Sequence, residues 1–329
     1  MVTVVVPTLG AGGALADCLR SLESQTLQSF EIVVVDNGGT RQVKDGPRVR
    51  VIANARNLGF GAAINQGYAS SQAPFLVTLN DDAVADPRWL ETLVACAQAN
   101  PQAGMFASEV RLAGRQTLDS AGMLIAPDGS GKQRGHGQPP EALARQTESL
   151  FPSGSAALYR RKMLEQTGLF DETYFLYCED VDLGLRARWA GWQCRYVPGA
   201  VVEHKYSHSA GRASPLKAYY VERNRLCTIL KNFPLKMLLR APLAAAGRYF
   251  WHALLLLKGE GKAAEFGQQG HWLALLPFLV LRAHVSALFR LPRLLAERRR
   301  IQATRRIPQA EFESLLARHS ISIRQVAAL

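Results

Sequence analysis

Two periods of apolar and polar residues organise the first hundred positions. Val2–Val6 is a continuous run rich in β-branched side chains, the pattern of a parallel strand buried on both faces. Leu15, Cys18, Leu19 and Leu22 then recur at helical spacing. Ile32–Val35 and Arg48–Ile52 read as a second and a third strand, Gly61–Ser70 as a short helix and Phe75–Leu79 as a fourth strand. Asp86 followed by Pro87 reads as an N-cap and first helical position, ahead of a helix with Leu90, Leu93, Val94 and Ala97 on one face. Strands alternating with helices imply βαβ units and an α/β fold with a mostly parallel central sheet.

The pattern loosens from about Gly104 to Pro152, where Gly and Pro cluster at Pro127–Gly131 and Gly135–Pro140. This reads as a loop beside a site or a surface excursion. Order returns with a strand at Ser155–Tyr159, helices at Arg161–Gln166 and Asp180–Ala190, and two short strands around Pro198-Gly199 within Gln193–His204. From Ser214 onward the chain reads as helical and amphipathic. The expected division is a catalytic unit over residues 1–212, with halves 1–103 and 104–212, and a helical region over 213–329.

Charge sharpens that division. Residues 205–329 carry 21 Lys/Arg against 6 Asp/Glu, so the net +12 of the whole chain belongs to its last third. Such a tail needs an acidic partner surface, anionic lipid or nucleic acid. The five cysteines are widely spaced with no metal-ligand or redox pattern, so reduced thiols in a cytosolic setting are expected. Met1 runs directly into the first strand, which leaves no leader segment and implies that nothing is exported.

In open parallel sheets ligands bind beyond the carboxyl ends of the strands. Those ends deliver Pro7-Thr8, Asp36-Asn37 and Asn80-Asp81-Asp82. A dinucleotide fold is the first alternative, but Gly10-Ala11-Gly12-Gly13 has Leu15 where the third glycine belongs, and Asn57-Leu58-Gly59-Phe60-Gly61 has Ile64 there. Neither is followed by the G-K-[ST] of a phosphate loop. Adjacent carboxylates at Asp81-Asp82 repel unless a cation lies near; Mg²⁺ or Mn²⁺ is held by one or two carboxylates plus substrate phosphates. The alternative is a simple turn. In Tyr177-Cys178-Glu179-Asp180-Val181-Asp182 a carboxylate is either a proton acceptor or a helix start favoured by the macrodipole, and the second reading is expected of Asp182. His204 ends a strand and is either a third metal ligand or structural.

In order along the chain, these pieces resemble glycosyltransferase family 2 on a GT-A (nucleotide-diphospho-sugar transferase) fold, in its rhamnosyltransferase-like bacterial branch. The matching phrases are Val4-Val5-Val6-Pro7-Thr8, Val33-Val34-Val35-Asp36-Asn37, Asn57-Leu58-Gly59-Phe60-Gly61, Leu79-Asn80-Asp81-Asp82, and the block from Gly168-Leu169-Phe170-Asp171-Glu172 through Glu179-Asp180-Val181-Asp182 to His204. The resemblance implies an inverting, Mg²⁺- or Mn²⁺-dependent hexosyltransferase of cell-surface polysaccharide assembly. Its donor would be a dTDP- or UDP-sugar and its acceptor a glycan or lipid-linked sugar. It implies Pro7, Thr8, Asp36, Asn57, Gly59, Asn80 and Asp81 at the donor nucleotide, Asp82 and His204 at the metal, and Asp180 as base with Glu179 beside it. Tyr220, Arg223 and Asn224 match a Y-Y-x-x-R-N phrase of the branch, expected near phosphates or acceptor. The sequence departs from the pattern at Asn80, at Asp81, and at Gly38-Gly39 after Asp36. A Rossmann oxidoreductase or a silent nucleotide-binding scaffold are the alternatives; the scaffold would lack Asp82 or Asp180.

Ala241–Leu257 is interrupted by Arg248, and Phe266–Leu281 is sixteen residues long with Pro277 inside. A spanning helix needs about 20 apolar residues. Trp251, Trp272 and Phe278 among leucines, beside Arg293, Arg298–Arg300 and Arg305-Arg306, suit helices lying in an anionic membrane interface at the inner face of the cytoplasmic membrane. The alternative is packing on the catalytic unit or a second subunit. With no recognised nucleic-acid module, nucleic acid is not the expected partner.

Overall fold

A computed structural model describes residues 1–10, 13–39, 43–145, 147–205 and 213–329. Its strands are β1 (Val2–Thr8), β2 (Phe30–Asp36), β3 (Val49–Ala53), β4 (Phe75–Leu79), β5 (Ala83–Ala85), β6 (Ala103–Leu112), β7 (Leu118–Ser120), β8 (Met123–Ile125), β9 (Gly131–Gln133), β10 (Thr147–Ser149), β11 (Ala156–Arg160) and β12 (Gln193–His204). Its helices are α1 (Gly13–Glu23), α2 (Phe60–Ala69), α3 (Trp89–Ala99), α4 (Arg161–Thr167), α5 (Glu179–Trp189), α6 (Pro215–Asn232), α7 (Leu235–Leu257), α8 (Gly261–Gln268), α9 (Leu275–Phe289), α10 (Leu291–Thr304), α11 (Gln309–Arg318) and α12 (Ile323–Ala328).

The main sheet runs β10-β12-β6-β11-β4-β1-β2-β3, with β5 on β12 and β7 on β6. β3, β2, β1 and β4 are mutually parallel, as the early alternation predicts. The whole sheet is mixed, not mostly parallel: β11 lies antiparallel between β4 and β6, and β10, β5 and β7 are antiparallel as well. The reason lies in residues 104–152, where no α-helix intervenes to carry the chain back across the sheet; a parallel return needs such a crossover. β12 is one strand with a register break between Val197 and Val201 rather than two strands, because Pro198-Gly199 bulge the ladder without ending it. The Asp86 carboxylate accepts the Arg88 N–H (2.9 Å), so it closes a turn just ahead of α3, which begins at Trp89.

Alternate side chains of β1 supply opposite faces. Val4 and Val6 join Leu15, Cys18 and Leu22 of α1 and Trp89, Leu90 and Leu93 of α3. Val5 joins Ala63 and Ile64 of α2, and that core extends to Leu183, Leu185 and Trp189 of α5.

The expected boundary at residue 212 lies outside the described residues. Beyond it, α6 and α11 join the same core through Ile229, Phe233, Phe312 and Leu316. Phe312 stacks on Trp189 with centroids 3.8 Å apart. α7 and α9 differ: Leu239, Leu243, Leu257, Phe278, Leu288 and Phe289 stand exposed.

Candidate active site

The carboxyl edge of the parallel strands and the start of α5 face one cavity of about 1240 Å³. Of the donor residues read from the sequence, Pro7, Thr8, Asn57, Gly59, Asn80 and Asp81 line it. Asp81 accepts the Thr8 hydroxyl at 2.7 Å, joining the ends of β1 and β4. Asp36 is buried at the end of β2 and accepts the Gly38 N–H at 2.9 Å; its neighbour Asn37 lines the cavity. Asn57 accepts the Gly59 N–H (2.8 Å), and Phe60 N–H donates to the Phe175 carbonyl (2.8 Å). Gly59 sits at φ +91°, and a Cβ there would lie 2.2 Å from the Phe175 oxygen. Only glycine fits this contact.

The β5–β12 pairing sets Ala83 opposite His204, which delivers Asp82 and His204 to one point. His204 Nε2 is 3.2 Å from Asp82 Oδ1 and 3.3 Å from Asn80 Nδ2. Its Nδ1 is 2.9 Å from Asp119 Oδ2 on β7, and Asp119 Oδ1 also meets His136 Nδ1 at 3.2 Å. Burial alone would lower the His204 pKa, but the hydrogen bonds and charges of Asp119 and Asp82 outweigh it and raise the ring to about 9. Among the described residues no group of three His, Cys, Asp or Glu side chains could hold a metal ion by itself. A carboxylate and an imidazole fit a divalent cation that takes its other ligands from substrate phosphates and water. Asp119 stands where a second carboxylate orients a metal-binding histidine. It escaped the sequence reading because Leu118-Asp119-Ser120 shows no motif; its one signal is an acid inside a buried strand.

Asp180 lines the same cavity. Its carboxylate accepts the Gly154 N–H (2.9 Å) and the Val181 N–H (2.8 Å). Burial raises its pKa and these backbone donors oppose the rise. Burial and the Asp180 charge raise Glu179 to about 8, and among the described residues its Oε2 has no hydrogen-bond partner. The two carboxyls titrate as a coupled pair, each disfavouring ionisation of the other.

Expectations for four residues change. Arg223 and Asn224 do not face the cavity. Arg223 donates to the Thr173 and Tyr174 carbonyls (2.9 and 2.7 Å), and Asn224 to those of Tyr174, Leu176 and Tyr177 (3.0, 2.8 and 2.7 Å). Tyr220 stacks on Phe175 at 5.2 Å with the Arg223 guanidinium over its ring. Together they clamp a loop whose Phe175, Tyr177 and Cys178 all have positive φ, a conformation that non-glycine residues adopt only when held. These residues shape the entry to α5, with Arg223 Nη2 and the Asn224 amide committed to loop carbonyls. Asp182 is likewise no mere helix-start charge: it is fully buried and held by Lys231, Arg186 and Asn232 at 2.9 Å each.

A strand edge carrying Thr8, Asp81 and Asp82 shares one cavity with the carboxylates Glu179 and Asp180, an arrangement that fits a glycosyltransferase site on an α/β fold. The comparisons agree. The model of "Glycosyl transferase family 2" matches residues 3–168, and that of "Glycosyl transferase family group 2" matches 142–291. An N-acetylglucosaminyl-diphospho-decaprenol L-rhamnosyltransferase of Mycobacterium tuberculosis is 34% identical over 247 residues, covering 66% of this chain and 80% of the relative. The O-antigen chain rhamnosyltransferase RfbN of Salmonella typhimurium is 21% identical over 225 residues, covering 63% and 67%. Among solved structures, GalNAc-T7 with UDP, GalNAc and Mn²⁺ superposes with a TM-score of 0.56 at 15% identity, over 70% of this chain and 47% of that one. Residues 1–349 of S. aureus TarS give 0.51 at 16% identity, over 74% and 70%. The chain belongs to glycosyl transferase family 2 and is a rhamnosyltransferase-like enzyme with a GT-A-like α/β fold and a mixed sheet. The oxidoreductase reading is thereby set aside.

Proposed function

We propose that this enzyme transfers rhamnose or a related hexose, with inversion, from a dTDP- or UDP-sugar to a lipid-linked N-acetylglucosamine acceptor, working on the inner face of the cytoplasmic membrane. One observation carries the reading. Asp81, Asp82, His204 and Asp180 face the same cavity, and that cavity continues into an apolar groove among α7, α8 and α9. Its 1240 Å³ exceeds the roughly 300–1,000 Å³ of a pocket for one small ligand, leaving room for donor and acceptor together. The M. tuberculosis relative, whose name specifies a prenyl-diphosphate-linked N-acetylglucosamine, supports the choice of acceptor.

Asp180 takes the proton of the acceptor hydroxyl as that oxygen attacks the anomeric carbon. The bond to the nucleoside diphosphate breaks, and its electron pair leaves on the diphosphate oxygen. Glu179, beside the base, titrates with it as a coupled pair, so a proton on either carboxyl keeps a second negative charge from building up there. Asp82 and His204, with Asn80 beside them, would hold a divalent cation, which when bound supplies Lewis-acid neutralisation of the leaving diphosphate. Pro7, Thr8, Asn37 and Asn57 form the nucleotide side of the cavity, with Asp36 behind them.

Among the described residues no single helix is long and apolar enough to cross a membrane. Trp272, Phe278 and Phe289 stand exposed on the outer side of the C-terminal helices, and Arg299, Arg300, Arg305 and Arg306 are exposed nearby in sequence. Exposed aromatics with a basic flank support interfacial binding. The test is incubation of the full chain and Mn²⁺ with dTDP-rhamnose, UDP-rhamnose or UDP-glucose and a short prenyl-diphosphate-linked N-acetylglucosamine, read by mass spectrometry. A product heavier by one deoxyhexose is expected; transfer to water-soluble glycans alone would refute the acceptor assignment.

A further inference from the structure

Basic residues of β9, α6, α7 and α8 line the cavity. Arg225 and Arg248 are neutralised: Glu222 pairs with both, and Arg248 Nε lies 2.6 Å from Asp128 Oδ2. Lys132 of β9, Lys217 of α6 and Lys262 of α8 are the remaining Lys and Arg residues on its wall. Lys262 has Glu265 at 2.9 Å, and Lys217 Nζ lies over the Tyr177 ring at 5.6 Å. Lys132 makes no ion pair among the described residues. Burial, followed by the charges of Lys262 and Lys217, pulls Lys132 down to about 7; burial and Lys262 bring Lys217 to about 8. A half-buried cation cluster of this kind disfavours the empty fold and favours an anion that joins it.

Its position narrows the anion. A Cβ on Gly131, next to Lys132, would touch Val181 Cγ2 at 3.0 Å, so β9 lies against the first turn of α5, beside Asp180. The same cavity has an apolar stretch of wall, formed by Leu256 of α7, Phe266 of α8 and Leu276, Pro277, Val280 and Leu281 of α9. Leu281 is 63% exposed, so the groove opens toward the apolar outer face.

We infer that Lys132, Lys217 and Lys262 form a subsite for the diphosphate of a prenyl-diphosphate-linked acceptor, with the prenyl chain in the α7–α9 groove and the sugar at Asp180. The order cation cluster, groove, exposed face matches the order diphosphate, prenyl chain, bilayer. This deepens the lipid-linked acceptor reading and rests on it.

Calorimetric titration of the full chain with farnesyl diphosphate, farnesol and dTDP separates the possibilities. The double variant Lys132→Gln/Lys262→Gln is expected to bind farnesyl diphosphate at least tenfold more weakly, with farnesol and dTDP unchanged. Its thermal midpoint should equal or exceed the parent's, because mutual repulsion has been removed. Lys132→Arg/Lys262→Arg, which keeps the charges, should restore binding. Unchanged farnesyl diphosphate binding in the Gln variant overturns the subsite, as does failure of the Arg variant to restore it. Loss of dTDP affinity with farnesyl diphosphate unaffected also overturns it, by placing the cluster at the donor diphosphate. Transfer to prenyl-diphosphate-linked N-acetylglucosamine with any of these results would leave the acceptor reading standing; absence of that transfer sinks the acceptor reading itself.

Discussion

The imidazole of His204 is held from behind by Asp119, with Nδ1 and Oδ2 2.9 Å apart across 85 residues of chain, while Nε2 faces Asp82. A buried carboxylate on one ring nitrogen fixes the ring plane and leaves the other nitrogen aimed at the strand edge. Asp119→Asn keeps the shape and loses the charge. Mn²⁺ affinity, followed by the paramagnetic signal of free Mn²⁺ in the presence of UDP or dTDP, should weaken roughly 10–100-fold. Unchanged affinity would reduce Asp119 to a packing residue.

Asp180→Asn removes the proton acceptor and should lower turnover by about 10²–10⁴-fold, with nucleotide binding nearly intact. Glu179→Gln removes the neighbouring charge but not the proton acceptor and should stay near the parent rate at pH 7. Because activity needs ionised Asp180, turnover falls as pH drops through its titration, and that acid limb should persist in Glu179→Gln. A dead Glu179→Gln beside an active Asp180→Asn would move the base by one residue.

Asp182→Asn should destabilise the fold by less than the roughly 3–5 kcal/mol of a fully uncompensated buried charge, since Lys231 and Arg186 lose their shared carboxylate while Lys231 keeps Asp171 and Arg186 keeps the carbonyls of residues 167–169. Burial raises the Asp182 pKa, but Lys231 and then Arg186 outweigh it and hold it below the ordinary value. A lowered native pKa means that unfolding takes up a proton. The stabilisation is therefore present above the unfolded value of about 3.9 and lost as pH falls below it. Urea melts at pH 7 and at pH 3 should differ less for Asp182→Asn than for the parent.

Gly59→Ala forces a Cβ against the Phe175 carbonyl in a backbone region that side chains disfavour, costing about 1–3 kcal/mol before the clash is counted. Both loops at the cavity mouth should shift, so donor KM should rise more than the melting midpoint falls. A variant with parental kinetics would show that the loop moves freely.

The sequence by itself determined the parallel half of the sheet, because unbroken β-branched runs such as Val2–Val6 and Ile32–Val35 can be satisfied only where both faces are covered. It also placed Thr8, Asp81 and Asp82 at one edge, since parallel strands release their ends together. It could not determine the antiparallel insertion of β11, the pairing of β5 with β12 that brings His204 to Asp82, or Asp119 behind them. Those depend on contacts between residues far apart in the chain, which no local period encodes. Asp182 and Arg223 show the same limit. A charged side chain on a helix reads alike whether it faces solvent or a buried partner, and only tertiary packing supplied Lys231 to one and the carbonyls of residues 173 and 174 to the other.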